Sequence, residues 1–302
     1  MKSILVFGSG AVGIYYGTKL LEAGADVTFL CRSDYQYASK HGFVVHEKNN
    51  DKVYHPTIIS DLSELNSKSI DLILICTKAL NSIDLVAELS KLVNPSTAFC
   101  MIQNGLNVEQ SLAKAFPDNL LISAVAFCCL QRQGPAYVHC EGFNRLIIGP
   151  YPDDCVNQAC EQLYSLFATT SVSCHIKENM QEERWKKLLW NVPFNALSVL
   201  AGKLDTQQLL EAPSFLDTIR AIMKEVVQLA AAAGYELSEI LCEEYISNTF
   251  KMGAYKTSML WDVEKKRSIE REAIFGNLLR FAQQKRISVP WIAFFYTALK
   301  QY

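Results

Sequence analysis

The pattern of hydrophobic positions changes character near residue 177. Before it, short apolar runs alternate with segments of helical period, which is typical of strands that alternate with helices. The run 70–76 is almost continuously apolar, and this predicts a strand buried on both faces of a parallel sheet. The other predicted strands are 3–7, 25–30, 97–102, 120–130, 145–149 and 171–176, and the main predicted helices are 80–92, 107–116 and 154–168. This alternation predicts a Rossmann-type α/β fold, an open, doubly wound and mainly parallel sheet with helices on both faces.

After residue 177 the helical period dominates, and no strand pattern follows about residue 176. The predicted helices are 178–200, 213–233, 238–250, 261–285 and 290–299. A chain of 302 residues exceeds the usual size of one hydrophobic core. We therefore expect two domains, an α/β domain over 1–177 and an all-helical domain over 178–302.

Composition narrows the class of protein. Half of the residues are hydrophobic, 20% are charged and the net charge is −2, without a basic tract, which argues against nucleic-acid binding. No apolar run approaches the ~20 residues that span a bilayer, and the first strand begins where a signal peptide would stand. The ten cysteines include no CxxC pair. We therefore expect reduced thiols, no bound metal and a cytoplasmic protein.

A glycine fingerprint follows the first predicted strand directly. In Gly8-Ser9-Gly10-Ala11-Val12-Gly13, the first glycine allows a tight turn, the second leaves room for a pyrophosphate, and the third lets the next helix pack closely. The start of that helix would offer free N–H groups to phosphates. We favour a dinucleotide site over a purely structural glycine turn. The expected cofactor contacts of this loop are Gly8, Ser9, Gly10, Ala11, Val12 and Gly13.

The end of the second strand indicates which dinucleotide binds. NAD enzymes usually carry a carboxylate there for the ribose 2′-OH, whereas this chain has Cys31-Arg32-Ser33. A guanidinium can hold a 2′-phosphate in a bidentate fork, so Arg32 favours NADP(H). The alternative is a solvated surface arginine.

Polar segments follow two later strands, Thr77-Lys78-Ala79 and Gln103-Asn104-Gly105. The carboxyl ends of parallel strands border the crevice in which ligands bind, so Lys78 and Asn104 are candidate contacts for the cofactor or an anion. Asn-Gly is also a common turn pair, and both interpretations of Asn104-Gly105 stay open here.

A polar stripe marks the start of the helical part. Lys187, Asn191 and Asn195 are spaced i, i+4 and i+8, and they share one helix face within an apolar segment. Buried asparagine needs a partner, so this stripe indicates a polar ligand or contact. Farther on, Ser258 can be explained as part of a helix N-cap region at Thr257-Ser258. Glu270 can be explained as one end of a surface ion pair, so spacing alone singles out neither residue for function.

Together these segments resemble the ketopantoate reductase (2-dehydropantoate 2-reductase) family of the 6-phosphogluconate-dehydrogenase-like superfamily. The resemblance runs over nearly the whole chain, and it is specific because the order and spacing of many motifs match. The motifs are the glycine loop 8–13, Arg32, Thr77-Lys78-Ala79, Gln103-Asn104-Gly105, Trp185-Lys186-Lys187-Leu188 with Asn191 and Asn195, Thr257-Ser258-Met259-Leu260-Trp261-Asp262, and Glu270.

The resemblance implies reduction of 2-dehydropantoate to pantoate with NADPH, a step of pantothenate and coenzyme A synthesis. It implies that Lys187 is the general acid at the ketone oxygen and that Glu270 orients Lys187 or the reacting oxygen. It places Lys78 and Asn104 near the nicotinamide and the substrate. The substrate's hydroxyl and carboxylate would be held by Asn191, Asn195 and Ser258.

The chain departs from the family after Glu270, where an acidic-tyrosine segment similar to Ile-Asp-Tyr is common and this chain has Arg271-Glu272-Ala273. The residues next to Glu270 therefore differ from those of the family, which puts in doubt how Glu270 is held and which substrate the protein prefers. Two alternatives stay open: a related NADP-dependent reductase of another 2-keto acid, and an NADP(H)-binding regulatory protein without turnover. The partner is expected to be a small keto acid, with neither nucleic acid nor membrane, and a homodimer is left open.

Overall fold

A computed structural model describes residues 1–65, 69–153 and 156–302. The chain divides into two compact units. The first unit comprises Met1–Lys78, Asp84–Gln103 and Glu109–Met180, and the second comprises Ala79–Ile83, Asn104–Val108 and Gln181–Tyr302. Its two short segments begin at Ala79 and Asn104, within the polar segments Thr77-Lys78-Ala79 and Gln103-Asn104-Gly105.

The first unit is built on one mixed sheet. Its strands are β1 Ser3–Phe7, β2 Asp26–Leu30, β3 Phe43–Glu47, β4 Asn50–Tyr54, β5 Thr57–Ile59, β6 Leu72–Ile75, β7 Ala98–Met101, β8 Leu121–Gly134, β9 Tyr137–Tyr151 and β10 Ser173–Ile176. The strand order is β4-β3-β9-β8-β7-β6-β1-β2-β5, with β10 beside β9. Among the described residues only the β3–β4 and β8–β9 pairings are antiparallel. The predicted fold class, an α/β sheet followed by a helical region, is confirmed.

The strand order reverses at β1, which lies between β2 and β6. The chain moves outward to β2 on one side and to β6 and β7 on the other, so the crossovers leave in opposite directions. Phe7 at the end of β1 is in register with Ile75 at the end of β6. This juxtaposition brings the glycine loop next to the Thr77 segment, at the type of switch point where open α/β sheets bind ligands.

The helices of the first unit are shorter than predicted. They are α1 Ala11–Glu22, α2 Tyr35–His41, α3 Leu85–Leu89, α4 Gln110–Ala115 and α5 Gln158–Phe167. The prediction of a helix over 80–92 was wrong in extent, because Asp84 caps α3 through the N–H of Ala87 and residues 79–83 pack with the second unit. Asn157 likewise caps α5, and the predicted start of that helix at Asp154, with Cys155, lies outside the described residues.

Strands β8 and β9 form one long antiparallel hairpin whose turn residues are Pro135 and Ala136. The prediction missed most of its outer half, residues 131–144. Polar and half-buried side chains such as Arg132 and Asn144 interrupt the apolar pattern there. Backbone pairing rather than continuous burial holds that half of the hairpin.

The second unit is helical. Its helices are α6 Met180–Leu200, α7 Thr206–Glu211, α8 Pro213–Ala232, α9 Glu239–Met252, α10 Ser258–Glu264, α11 Asn277–Lys285 and α12 Pro290–Ala298. No strand follows Ile176 in the part of the chain that the structure describes, as predicted. None of the helices within those ranges has both the length and the apolar character to cross a membrane.

The predicted single helix over 261–285 was wrong. Helix α10 ends at Glu264, Lys266 adopts a positive φ of 53°, and the chain resumes with a π-helical turn at Glu272–Gly276 before α11. The hydrophobic period continues across the break because both helices bury a face in the same core. A lysine rather than a glycine takes the left-handed position, so the usual sequence mark of a helix end is missing.

The cysteine thiols provide a first testable prediction. Burial raises the pKa of Cys140 and Cys160 to about 11 and that of Cys174 to about 12. Because the thiolate is the reactive form, we expect these three thiols to react roughly a hundredfold or more slowly than free cysteine at pH 8. A disulfide-exchange reagent, followed with and without denaturant, measures this. Rapid labelling of all three in the native protein would contradict the burial.

Candidate active site

The three fingerprint glycines have three different surroundings. Gly8 has a φ of +108°, and a Cβ there would lie 2.6 Å from the backbone nitrogen of Thr77. A Cβ on Gly13 would lie 2.0 Å from the carbonyl oxygen of Gly8. A Cβ on Gly10 would meet no atom of the described residues within 4 Å. Two glycines are therefore required by packing, while Gly10 borders open space.

The start of α1 is arranged as an anion site. Gly10 is the N-cap residue, no side chain of the described residues caps the helix, and its first turn contains no acidic residue. The hydroxyl of Ser9 donates instead to the carbonyl of Leu30 at the end of β2, 2.8 Å away. The N–H groups of Ala11 and Val12 therefore lie at the positive end of the helix without an acidic neighbour in that turn.

Arg32 follows β2 at the surface, with 58% of its side chain exposed. Its Nη2 donates to Oε2 of Glu88 in α3 over 2.8 Å. The charge of Arg32 also contributes to the lowered pKa of Asp61, after the hydrogen bonds from Ser63. The guanidinium is thus accessible to a ligand, and a carboxylate of the same unit competes for it.

The loops after β6 and β7 are tied together within the first unit. The side-chain amide of Gln103 donates to the carbonyl oxygen of Thr77 at 2.9 Å and to its hydroxyl at 3.1 Å. Thr77 in turn lies against Gly8. Lys78, half-buried, is the last residue of the first unit before the short segment 79–83.

In the second unit, Glu270 and Asn104 meet although they are far apart in sequence. Glu270 is buried, and its carboxylate accepts a hydrogen bond from the backbone N–H of Ala79 at 3.0 Å. Its second oxygen accepts from the side-chain amide of Asn104 at 2.9 Å. Glu270 is therefore held at both carboxylate oxygens and is buried, so the alternative of a simple surface ion pair does not describe it.

The segment 104–106 is fixed on both sides. Arg184 of α6 donates to the carbonyl of Gly105 at 3.2 Å, and the N–H of Leu106 donates to the carbonyl of Ala273 at 3.0 Å. Gly105 has a φ of +102°, and a Cβ there would collide with Ala273. Asn104-Gly105 is thus both a turn that needs glycine and a means of placing an amide on Glu270. The contacts of Arg184 and Ala273 with this turn were not predicted, because nothing in the sequence marks either residue as its neighbour.

The polar stripe of α6 is buried rather than solvated. Asn191 and Asn195 are 4% and 1% exposed, and Lys187 is half-buried. The side-chain carbonyl oxygen of Asn195 has no hydrogen-bond partner among the described residues. An orphaned buried amide oxygen is costly, so this position indicates a polar ligand group.

Ser258 is exposed and begins α10, whereas Thr257 is the N-cap residue. The Thr257 hydroxyl accepts from the N–H of Leu260 at 3.1 Å and bonds Ser198 of α6 at 2.7 Å. The capping role therefore belongs to Thr257, and Ser258 lies at the surface.

Comparison with known proteins adds independent evidence. The family model for ketopantoate reductase PanE/ApbA matches residues 4–153, and the model for its C-terminal part matches residues 179–302. A 2-dehydropantoate 2-reductase from Nostoc sp. is 31% identical over 99% of this chain and 94% of its own length.

Two solved structures extend the comparison. A 2-dehydropantoate 2-reductase from Methylococcus capsulatus is 36% identical, with a TM-score of 0.89, over 99% of this chain and 96% of its own. D-mandelate dehydrogenase with NADH and anilino(oxo)acetate has a TM-score of 0.90 over 98% and 96% of the two chains. At 20% identity, the second likeness shows the fold alone.

Proposed function

Because the chain belongs to the ketopantoate reductase family, we propose that it reduces 2-dehydropantoate to pantoate with NADPH. The observation that carries the proposal is the buried polar face of α6 with its orphaned Asn195 oxygen, in the same unit as the Glu270–Asn104 pair. A ligand with a carboxylate, a ketone and a hydroxyl would satisfy such a set of donors and acceptors.

We propose that the first unit binds the dinucleotide. The open space at Gly10 and the free start of α1 fit a pyrophosphate, and Arg32 fits a 2′-phosphate. Lys78 and Asn104 are proposed near the nicotinamide. When bound, NADPH supplies the hydride.

The proposed chemistry follows from charge. Hydride addition to the ketone carbon builds negative charge on the carbonyl oxygen, and a positioned ammonium stabilises and then protonates it. Lys187 is proposed as that group, with its proton passing to the new alkoxide. Glu270 would orient Lys187 or the reacting oxygen, and Asn191, Asn195 and Ser258 would hold the carboxylate and hydroxyl of the substrate.

The role of Arg32 is testable by binding. Arg32→Ala should weaken NADPH binding by about tenfold or more, because charge-assisted hydrogen bonds to the 2′-phosphate are lost, and should leave NADH binding unchanged. Glu88→Gln should strengthen NADPH binding a few-fold, since an exposed ion pair worth about 0.2–1 kcal/mol no longer competes. Fluorescence titration with both cofactors measures these constants. Equal losses for NADPH and NADH in the Arg32 variant would argue against a 2′-phosphate contact.

The substrate is tested by following NADPH oxidation with 2-dehydropantoate and a panel of other 2-keto acids. A strong preference for 2-dehydropantoate supports the proposal. Preference for another keto acid favours a related reductase, for which Ala273 in place of the family's aromatic residue is the motivating difference. Tight NADPH binding without turnover of any keto acid would favour a regulatory protein.

A further inference from the structure

The π-helical turn Glu272–Gly276 begins two residues after Glu270. The N–H of Asn277 bonds the carbonyl of Glu272, five residues earlier, so one extra residue is inserted before α11. Such turns are rare and need support from their surroundings, and they are frequent at functional sites. The support in this protein comes from the side chain of Glu272 itself.

The carboxylate of Glu272 is folded back over its own turn. It accepts hydrogen bonds from the Tyr296 hydroxyl at 2.6 Å, from Arg280 at 3.0 Å and from Arg271 at 3.2 Å. A Cβ on Gly276 would lie 2.4 Å from Oε2 of Glu272, so the glycine leaves the space that the carboxylate fills. Burial raises the pKa of Glu272, but the bonds from Tyr296 and Arg280 outweigh it and the pKa is lowered.

Arg271 completes this cluster instead of projecting into solvent. Its guanidinium lies over the Tyr296 ring, 4.5 Å from the centroid, and donates to the Tyr296 carbonyl at 3.1 Å. Within the segment Arg271-Glu272-Ala273, which departs from the family pattern, Arg271 and Glu272 thus both bond to Tyr296 of α12. Together they attach the turn to that helix.

The π-helical turn and the residue after it are hydrogen-bonded to Glu270 and to the 104–106 segment of the candidate site. The carbonyl of Glu270 accepts from the N–H of Ile274 at 3.1 Å, and the carbonyl of Ala273 accepts from the N–H of Leu106. The side-chain amide of Asn277, the first residue after the turn, donates to the carbonyl of Leu106. A change in the turn would therefore move Glu270 and the 104–106 segment relative to each other.

We infer that Glu272, clamped by Tyr296 and Arg280, is a positioning residue that holds Glu270 and Asn104 in hydrogen-bonding geometry. The inference rests on the proposed function, in which Glu270 and Asn104 belong to the reacting site. Glu272 does not itself contact the reacting groups in this scheme. It acts through the backbone of the turn.

The test compares Glu272→Ala, Glu272→Gln and Tyr296→Phe, with Tyr302→Phe at the exposed C-terminus as the matched control. Loss of the clamp, by which we mean the hydrogen bonds from Tyr296 and Arg280 to Glu272, should lower kcat by about ten- to a hundredfold. A small misplacement of reacting groups has an effect of that size. KM for the keto acid and the Kd for NADPH should change little, because the contacts proposed at the glycine loop, at Arg32 and on α6 remain. Glu272→Gln keeps an acceptor for Tyr296 and should retain most of the activity, and Tyr302→Phe should behave as wild type.

A merely structural role would lower the melting temperature and leave kcat of the folded enzyme unchanged in all variants, and that result would overturn the inference. If Glu272→Ala fails to fold, Tyr296→Phe still tests the clamp, because it removes one oxygen atom and keeps the ring beneath Arg271.

Glu270→Gln separates this inference from the proposed function. If Glu270→Gln turns over normally, the proposed role of Glu270 fails. If it is inactive while Tyr296→Phe and Glu272→Ala keep wild-type kcat, only the positioning role fails. A crystal structure of a clamp variant gives a readout without activity: the distance from Asn104 Nδ2 to Glu270 Oε2 should lengthen beyond hydrogen-bond range, and an unchanged distance would contradict the inference.

Discussion

Replacement of Lys187 by alanine is expected to lower turnover of the keto acid by about two to four orders of magnitude, the usual contribution of a general acid. Without the ammonium, the developing alkoxide would have neither its countercharge nor its proton donor. The Kd for NADPH should stay within about twofold, because an interaction made mainly in the transition state affects kcat rather than ground-state binding. Steady-state kinetics and fluorescence titration measure the two quantities.

Lys186 provides the matched control one residue away. Its ammonium bonds Glu182 at 2.7 Å and Glu183 at 2.8 Å on the same helix, and those bonds raise the pKa of Lys186 against the opposing effect of burial. Lys186→Ala removes the same side chain at the adjacent position and should leave kcat near that of the wild type. Wild-type turnover in Lys187→Ala, or equal losses in both variants, would remove Lys187 from the mechanism.

The largest expected effect on stability is that of Gly13→Ala. The added Cβ would lie 2.0 Å from the carbonyl oxygen of Gly8, so β1 and α1 would have to separate. Both elements belong to the buried core of the first unit. We expect a loss of several kcal/mol, in the range of severe core substitutions, or failure to fold. Denaturant unfolding measures the loss.

Gly10→Ala is the contrasting variant in the same loop. Its Cβ would meet nothing within 4 Å among the described residues, so the free energy of unfolding should change by less than about 1 kcal/mol. NADPH binding should nevertheless weaken markedly, because the methyl group occupies the space proposed for the pyrophosphate. If Gly10→Ala left the Kd unchanged, the dinucleotide would not approach the loop at this residue.

Much of the fold was predictable because local patterns are strong where burial is two-sided. The apolar run at β6 and the glycine loop after β1 each identify their element without help from distant residues. The break between α10 and α11 was not predictable. Its hydrophobic period continues, and Lys266 takes the left-handed position that a glycine would have revealed. The outer half of the β8–β9 hairpin was missed because its side chains are only partly buried.

Some features of the candidate site could be predicted from the sequence, and others could not. The spacing of Lys187, Asn191 and Asn195 follows from the helical period alone, and their role remains a prediction. The bonding of Glu270 to Asn104 and Ala79 joins positions that are 166 and 191 residues apart, and no local pattern encodes such a contact. Arg271 is the sequence neighbour of Glu270, yet its guanidinium lies over the ring of Tyr296.

From the sequence alone follow the α/β part with its helical continuation, the fingerprint loop and the family, because periodicity, glycine spacing and motif order are properties of neighbouring residues. The assembled fold was needed to show that Thr257 caps α10 while Ser258 is exposed, that Gly10 borders open space while Gly13 is packed, and that Glu272 bonds to Tyr296. These properties depend on the atoms that distant segments bring to each residue. Burial and hydrogen-bond partnership are therefore set by the assembled core rather than by the local chain.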